Sequence, residues 1–337
     1  MNWTTFGHQK AIQGVYKAYL ANRLSHAYLI IGMQNVGKTT FALDIAKLVN
    51  CTSENKPCSE CQNCKRINAN THTDVSLIDI FSDKNSATSG IDELREAFIA
   101  KTNRKPFEGE CRVFILQSID NMRVEQSNIL LKTLEEPPED TIVILLAENM
   151  NSVLETIVSR CQLIILDPLQ ESEVLEYLTI QFSIDDQVML KNILKLSQGR
   201  IGRAIKMIND PKEIDYLNEV MGNFLGVFQF SLIEKFDFSQ EIALKLQKNR
   251  LQTINEIHLW LACLRDLLLI KSGYEHYNDH EDYVRVSNDL SFDQILNTGK
   301  AIEETLSLLA LNINPRLTLD NFMLRVHQSI NLQSAKV

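Results

Sequence analysis

The chain has 337 residues, enough for two or three domains of ordinary size, each with its own core. Apolar residues make up 45% and charged residues 23%, the balance of a globular protein, and no apolar run reaches the roughly 18–20 residues that a membrane span requires. A formal net charge of -9 speaks against a free-standing nucleic-acid binder, because neutralising phosphates takes clustered Lys and Arg. DNA contact through a local patch, or inside a larger assembly, stays open.

The opening MNWTTFGHQK lacks the basic-then-apolar pattern of a secretory signal, so a cytoplasmic location is expected. In chain order, HAYLIIG (26–32), VSLIDI (75–80), RVFILQSI (112–119), TIVILLAEN (141–149) and QLIILD (162–167) form five short apolar runs. Near-continuous Ile, Leu and Val predict strands buried on both faces, as in a parallel sheet flanked by helices. Between them lie amphipathic segments such as TTFALDIAKLVN (39–50) and EQSNILLKTLEE (125–136), the latter stopped by Pro137 and Pro138. The polar stretch SDKNSATSG (82–90) reads as a mobile loop.

The α/β pattern ends near Asp167-Pro168. ESEVLEYLTIQF (171–182) and DDQVMLKNILKLSQG (185–199) have helical periodicity, with Gly199 as a C-terminal stop. After Pro211 the strand signals cease. TINEIHLWLACLRDLLLI (253–270) puts Ile254, Ile257, Leu261, Leu264 and Leu268 on one helical face, and residues 292–314 and 315–330 read as further helices. The last third is expected to be all-α.

Gly32-x-x-x-x-Gly37-Lys38-Thr39 fits the phosphate-loop pattern, with a strand before it and a helix after it. Its glycines let backbone N–H groups turn toward phosphate oxygens, and a helix starting at Lys38 favours negative charge. Lys38 would meet the β and γ phosphates, Thr39 would hold magnesium, and Thr40 lies beside them in the first turn of the helix, with ATP or ADP as the nucleotide. The bland alternative is a Gly-rich turn that contains Lys-Thr. A hydrolase of this type also needs a carboxylate at the end of a neighbouring strand. Where it should follow VFIL, the chain has Gln117 and Ser118, and Asp120 lies three residues past Gln117. Gln117 carries no charge to balance magnesium, so binding without hydrolysis is expected.

Seven cysteines in a chain expected in the cytosol point to metal or burial rather than disulfides. Cys51, Cys58, Cys61 and Cys64 have spacings that suit a closed tetrahedral zinc site, with an iron–sulfur cluster as the rival. Cys111, Cys161 and Cys263 sit in apolar surroundings and read as core residues. Arg160, in TIVSRCQ (156–162), taken alone is a solvated charge between a helix and a strand.

These motifs occur in an order that resembles the clamp-loader ATPases of the AAA+ class in bacterial DNA polymerase III: HQKAIQGVYKAYLANRLSHAYLIIGMQNVGKTT, the four cysteines, NILLKTLEEPPEDT and TIVSRCQ. The resemblance covers residues 1 to about 210, and NINPRLTLDNFML near the end is similar to the family's collar domain. It implies an AAA+ P-loop domain over 1–166 with an inserted zinc module at about 50–67. A helical lid domain over 167–210 and an all-α collar domain over 211–337 complete the implied organisation. It also implies a pentameric ring with tau/gamma-type and delta-type subunits that opens a sliding clamp and loads it on primed DNA.

Within the family, Gln117 and Ser118 fall where an active subunit has Asp and Glu, which marks a non-hydrolysing stator. Arg160 matches the arginine finger that reaches the nucleotide of the neighbouring subunit. The second-sensor arginine has no clean counterpart: Gly202 occupies its place, with Arg203 one step beyond. The alternative is an active ATPase subunit of tau/gamma type, which would need another acid in place of Gln117. A nucleotide kinase is a third possibility that the cysteine quartet and the helical tail oppose.

Overall fold

In the computed structural model the described residues are 2–79, 94–102, 104–122, 124–182, 184, 186–274, 281–311 and 313–331. The polar stretch 82–90 lies outside them. The chain divides into two compact units, Met1–Asp210 and Pro211–Val337.

Unit one is built on a five-stranded parallel sheet of order β2-β3-β4-β1-β5, with strands Ala27–Ile31, Val75–Ile78, Arg112–Leu116, Thr141–Ala147 and Gln162–Ile165 numbered β1 to β5. Each lies inside one of the apolar runs, and β1, β3 and β4 are buried along their whole length. Alternation then divides the side chains between two cores. Tyr28, Ile30, Val113, Ile115, Ile142 and Ile144 face one that includes Ile12 and Val15 of α1 (Gln9–Leu20) and Phe41 and Ile45 of α2 (Lys38–Asn50). Leu29, Phe114, Val143 and Leu145 face the other, with Leu130 and Leu134 of a later helix. The edge strand β5 is the exception: Leu163 and Ile165 pair in register with Leu29 and Ile31 yet are 40% and 56% exposed.

A short α3 (Gln62–Asn68) follows α2. On the second face stand α4 (Val124–Glu135), which ends before the two prolines, and the short α5 (Glu155–Val158). Unit one finishes with α6 (Glu171–Phe182), α7 (Gln187–Ser197) and α8 (Ile201–Asn209). Gly199 follows α7 at φ 75°, the left-handed geometry of a helix stop.

Unit two is helical throughout its described residues. Its helices are α9 (Lys212–Gly226), α10 (Leu232–Lys248), α11 (Arg250–Lys271), α12 (Glu281–Asp289), α13 (Phe292–Ala310) and α14 (Pro315–Asn331). Ser231 and Ser291 start α10 and α13 with capping boxes. The apolar stripe expected on α11 is too narrow. Ile257 and Leu264 are buried, but so are Leu259, Trp260, Cys263 and Leu267, while Ile254, Leu261 and Leu268 are only half-buried. Trp260 stacks on Phe224 of α9 at 5.1 Å and on Phe322 of α14 at 5.7 Å. A helix enclosed by neighbours has no single apolar face for periodicity to find. Among the described residues no helix is long and apolar enough to cross a membrane.

Candidate functional site

The phosphate loop leaves the carboxyl end of β1, where the strand order switches between β4 and β5. Crevices at such switch points are where open α/β sheets take ligands. Gly32 follows the strand, and Gly37 at φ 112° turns the chain into α2, a geometry that a side chain would strain. Gly32, Gly37, Lys38, Thr39 and Thr40 are thereby gathered at one helix start. The Lys38 ammonium donates to the carbonyls of Gly32 at 2.5 Å and Met33 at 3.0 Å. Burial holds it below the ordinary lysine range, against the opposing pull of Glu148 and Asp120.

α2 is anchored from behind. Lys47 and Asp44, both fully buried, form an ion pair at 2.5 Å. Asp44 also accepts from the Thr5 amide at 2.7 Å and hydroxyl at 2.6 Å, and Lys47 donates to the Thr4 hydroxyl at 2.6 Å. Trp3 stacks on Phe41 of the same helix at 5.7 Å. The segment before α1 is thus bolted to the helix that carries the phosphate loop at one end and Cys51 at the other.

At the end of β3, Gln117 donates from its side-chain amide to the Thr39 hydroxyl oxygen at 3.2 Å. Ser118 follows in a left-handed conformation, φ 54°. Asp120 spends one carboxylate oxygen on the amides of Glu148 (3.0 Å) and Asn149 (3.4 Å), tying down the end of β4; its other oxygen is buried with no hydrogen-bond partner. Magnesium does not fit this donor set. The ion takes oxygen ligands that balance its charge, and the group beside the Thr39 hydroxyl is a neutral amide whose N–H takes one of the oxygen's two lone pairs.

Two residues beyond the sequence reading belong to this site. Arg200, only 8% exposed, caps α8 and donates to the Ser197 carbonyl at 3.2 Å and the Gln198 side-chain oxygen at 3.0 Å. Burial lowers its pKa to about 10, with Glu148 opposing. Glu148 therefore acts on Arg200 and Lys38 alike. At Gly202, where the resemblance implies a second-sensor arginine, the N–H donates to the Asn35 carbonyl at 2.9 Å, and a Cβ there would stand 2.9 Å from that same oxygen. The start of α8 packs backbone to backbone on the phosphate loop, which leaves no room for a side chain. The signal in the sequence was only a lone Arg after a helix-stop glycine. Arg203, one step past Gly202, is buried.

Arg160 stands between α5 and β5. Its guanidinium meets Glu135, the last residue of α4, at 2.6 Å, and donates to the Thr156 carbonyl at 2.8 Å and the Ser159 hydroxyl at 3.3 Å. Both partners of the ion pair are partly exposed, 34% and 50%, so the pair contributes little stability, about 0–1 kcal/mol.

The four cysteine sulfurs all lie within 4.8 Å of one another, with Cys51 and Cys58 at 3.4 Å and Cys51 and Cys61 at 3.9 Å. Tetrahedral zinc with Zn–S of about 2.3 Å needs sulfurs roughly 3.8 Å apart, so the set fits zinc. Cys51 closes α2 and Cys61 caps α3, whose Cys64 amide points at the Cys61 sulfur at 3.5 Å. The module is held to its surroundings by hydrogen bonds from Asn63 to the Asn50 carbonyl (2.9 Å) and from the Asn2 amide to the Pro57 carbonyl (2.8 Å). Cys111 and Cys161 pack against the two cores of the sheet, and burial pushes each thiol up to about 12.

Comparison with known proteins follows the same lines. A family model described as "DNA polymerase III, delta subunit" matches residues 7–170. The DNA polymerase III subunit delta' of Bacillus subtilis is 28% identical over 324 residues, covering 93% of this chain and 94% of the relative. The gamma subunit of Buchnera aphidicola (subsp. Acyrthosiphon pisum) is 30% identical over 208 residues, 60% of this chain and 56% of the relative. The tau subunit of Bacillus subtilis is 37% identical over 158 residues, 46% of this chain and 27% of the relative. Similarity to the delta' relative thus runs along nearly all of both chains, whereas the gamma and tau similarities end part-way along both.

Proposed function

We propose, from the premise that this chain belongs to the clamp-loader family of DNA polymerase III, that it serves there as a delta-prime-type subunit. In this reading it is a non-hydrolysing stator in the cytoplasm. It assembles with tau/gamma-type and delta-type subunits into a pentameric ring that opens the sliding clamp and loads it on primed DNA. Residues 1–166 act as the P-loop domain, 167–210 as the lid and 211–337 as the ring-forming collar. The cysteine module carries one structural zinc. Arg160 is the finger offered to the neighbouring subunit's nucleotide, and the phosphate loop of this chain retains a nucleotide without cleaving it.

The observation that carries the stator reading is the amide of Gln117 on the Thr39 hydroxyl. A hydrolysing site needs a carboxylate near that place to hold the metal and orient the attacking water. The rival, an active tau/gamma-type ATPase, draws on the similarity to gamma and tau chains. It requires Asp120 to do that work, and one of its two carboxylate oxygens is committed to the end of β4.

The test is reconstitution. The purified chain alone shows no ATP turnover above that of its Lys38→Ala variant, and it completes a clamp-loading ring when mixed with tau/gamma-type and delta-type partners. Turnover by the isolated chain that Lys38→Ala abolishes would establish the rival. A chain that enters no such ring would end the proposal.

A further inference from the structure

The misfit between magnesium and the phosphate loop has a consequence for what the loop holds. We infer that the site binds a nucleoside diphosphate without magnesium, its phosphates met by Lys38 from the loop and Arg200 from the start of α8. This rests on the reading that the loop retains a nucleotide, and it names the form of that nucleotide.

The first ground is the Thr39 hydroxyl. In a metal-dependent loop the threonine oxygen gives a lone pair to magnesium and its hydrogen to a nearby carboxylate. Here the Gln117 N–H points at that oxygen from 3.2 Å. That N–H takes one of the oxygen's two lone pairs, and the neutral amide beside it brings no negative charge to a dication. Neither Gln117 nor Ser118 supplies compensating charge.

The second ground is the fixed cations. Lys38 sits under the loop, and Arg200 is nine-tenths buried at the start of a helix that touches the loop directly through Gly202 and Asn35. Two of the guanidinium's nitrogens, Nε and Nη2, are occupied by Ser197 and Gln198. Nη1 is in neither bond, and a guanidinium can present a further N–H to a phosphate oxygen without rearranging. The helix starts add oriented N–H groups.

The third ground selects the diphosphate. Glu148 and Asp120 act on Lys38, and Glu148 also acts on Arg200, so two cations are set against two carboxylates. Magnesium would offset the extra charge of a γ-phosphate; without it, that charge faces two carboxylates with no further cation among these groups. A diphosphate asks less of the same site.

The experiment is equilibrium binding of ADP and ATP to the full-length chain, in magnesium and in excess EDTA. ADP is expected to bind equally well in both, and ATP more weakly than ADP in EDTA. Arg200→Gln is expected to weaken ADP binding in EDTA by about 10- to 100-fold, the loss of a charge-assisted hydrogen bond. Gln117→Asp should make ADP binding depend on magnesium, a change that no structural role for Gln117 would produce. Thermal unfolding of each variant separates lost binding from lost fold.

An ADP affinity that falls about tenfold or more in EDTA would overturn the inference. Asp120→Asn abolishing that dependence would assign the metal to the buried Asp120 oxygen. If Lys38→Ala removes ADP binding while Arg200→Gln leaves it unchanged, the nucleotide reading stands and the role of Arg200 is refuted. If the wild-type chain binds neither nucleotide under either condition, both fail together.

Discussion

Replacing Lys47 with Met would isolate the anchor behind the phosphate loop. The variant leaves the Asp44 carboxylate fully buried, with the Thr5 amide and hydroxyl as donors but no cation. Removing one partner of a buried ion pair typically costs about 3–5 kcal/mol, because the remaining charge stays desolvated and uncompensated. Asp44→Asn with Lys47→Met should recover more than half of that loss: the Asn oxygen still accepts from Thr5 and no buried charge is left. Two units preclude reading one global free energy. The chain has two tryptophans, and Trp3 stacks on Phe41 of α2. In a Trp260→Phe background, Trp3 fluorescence therefore reports unit one during urea unfolding. A Lys47→Met midpoint shift worth less than about 1 kcal/mol, or a double variant no more stable than the single one, would refute the reasoning.

Metal analysis should find about one zinc per chain and no iron chromophore, since four thiolates at tetrahedral separations close the shell; iron with inorganic sulfide, as in a [2Fe–2S] or [4Fe–4S] centre, would turn the site into a cluster. Chelation should then expose the module around residues 51–68 to proteolysis before the rest of unit one. In the zinc-loaded protein at pH 8, Cys111 and Cys161 should resist alkylation. With thiols pushed up to about 12, the reactive thiolate is on the order of 10⁻⁴ of each residue, rising with pH toward that value. Mass mapping that finds either residue modified as fast as a free thiol would contradict this. Glu135→Gln should leave the fold intact, because the pair it forms with Arg160 is half in solvent; a fall in thermal stability beyond about 1 kcal/mol would make that pair structural.

Much of unit one was legible because its signals are local. Five apolar runs each hold a strand, and the phosphate loop needs only a strand, two glycines and a helix in succession. The cysteine quartet is as local: three of the four sulfurs lie within seven residues of chain. What stayed hidden depends on residues far apart. Arg160 and Glu135 are separated by 25 positions, and Thr39 and Gln117 by 78; no periodicity links either pair. Arg200 has no local signal: it lies two residues before Gly202, and only the close packing of Gly202 on Asn35 brings the start of α8 to the phosphate loop. In unit two the face of α11 was drawn too narrow because tertiary contacts surround it, with Trp260 packed between Phe224 and Phe322.

The central claim is that this chain contributes to hydrolysis by supplying Arg160 rather than by hydrolysing. Its most direct test is DNA-stimulated ATP hydrolysis by a reconstituted ring containing Arg160→Ala, beside rings containing the wild-type chain and Glu135→Gln. A finger supplied in trans is worth on the order of 10³–10⁵ in rate at the site it serves. The Arg160→Ala ring should therefore assemble normally, keep its zinc and lose the turnover of the facing site, while the Glu135→Gln ring retains it. An Arg160→Ala ring that assembles and hydrolyses ATP at the wild-type rate would contradict the account, as would an Arg160→Ala chain that fails to fold or assemble in the same way as Glu135→Gln.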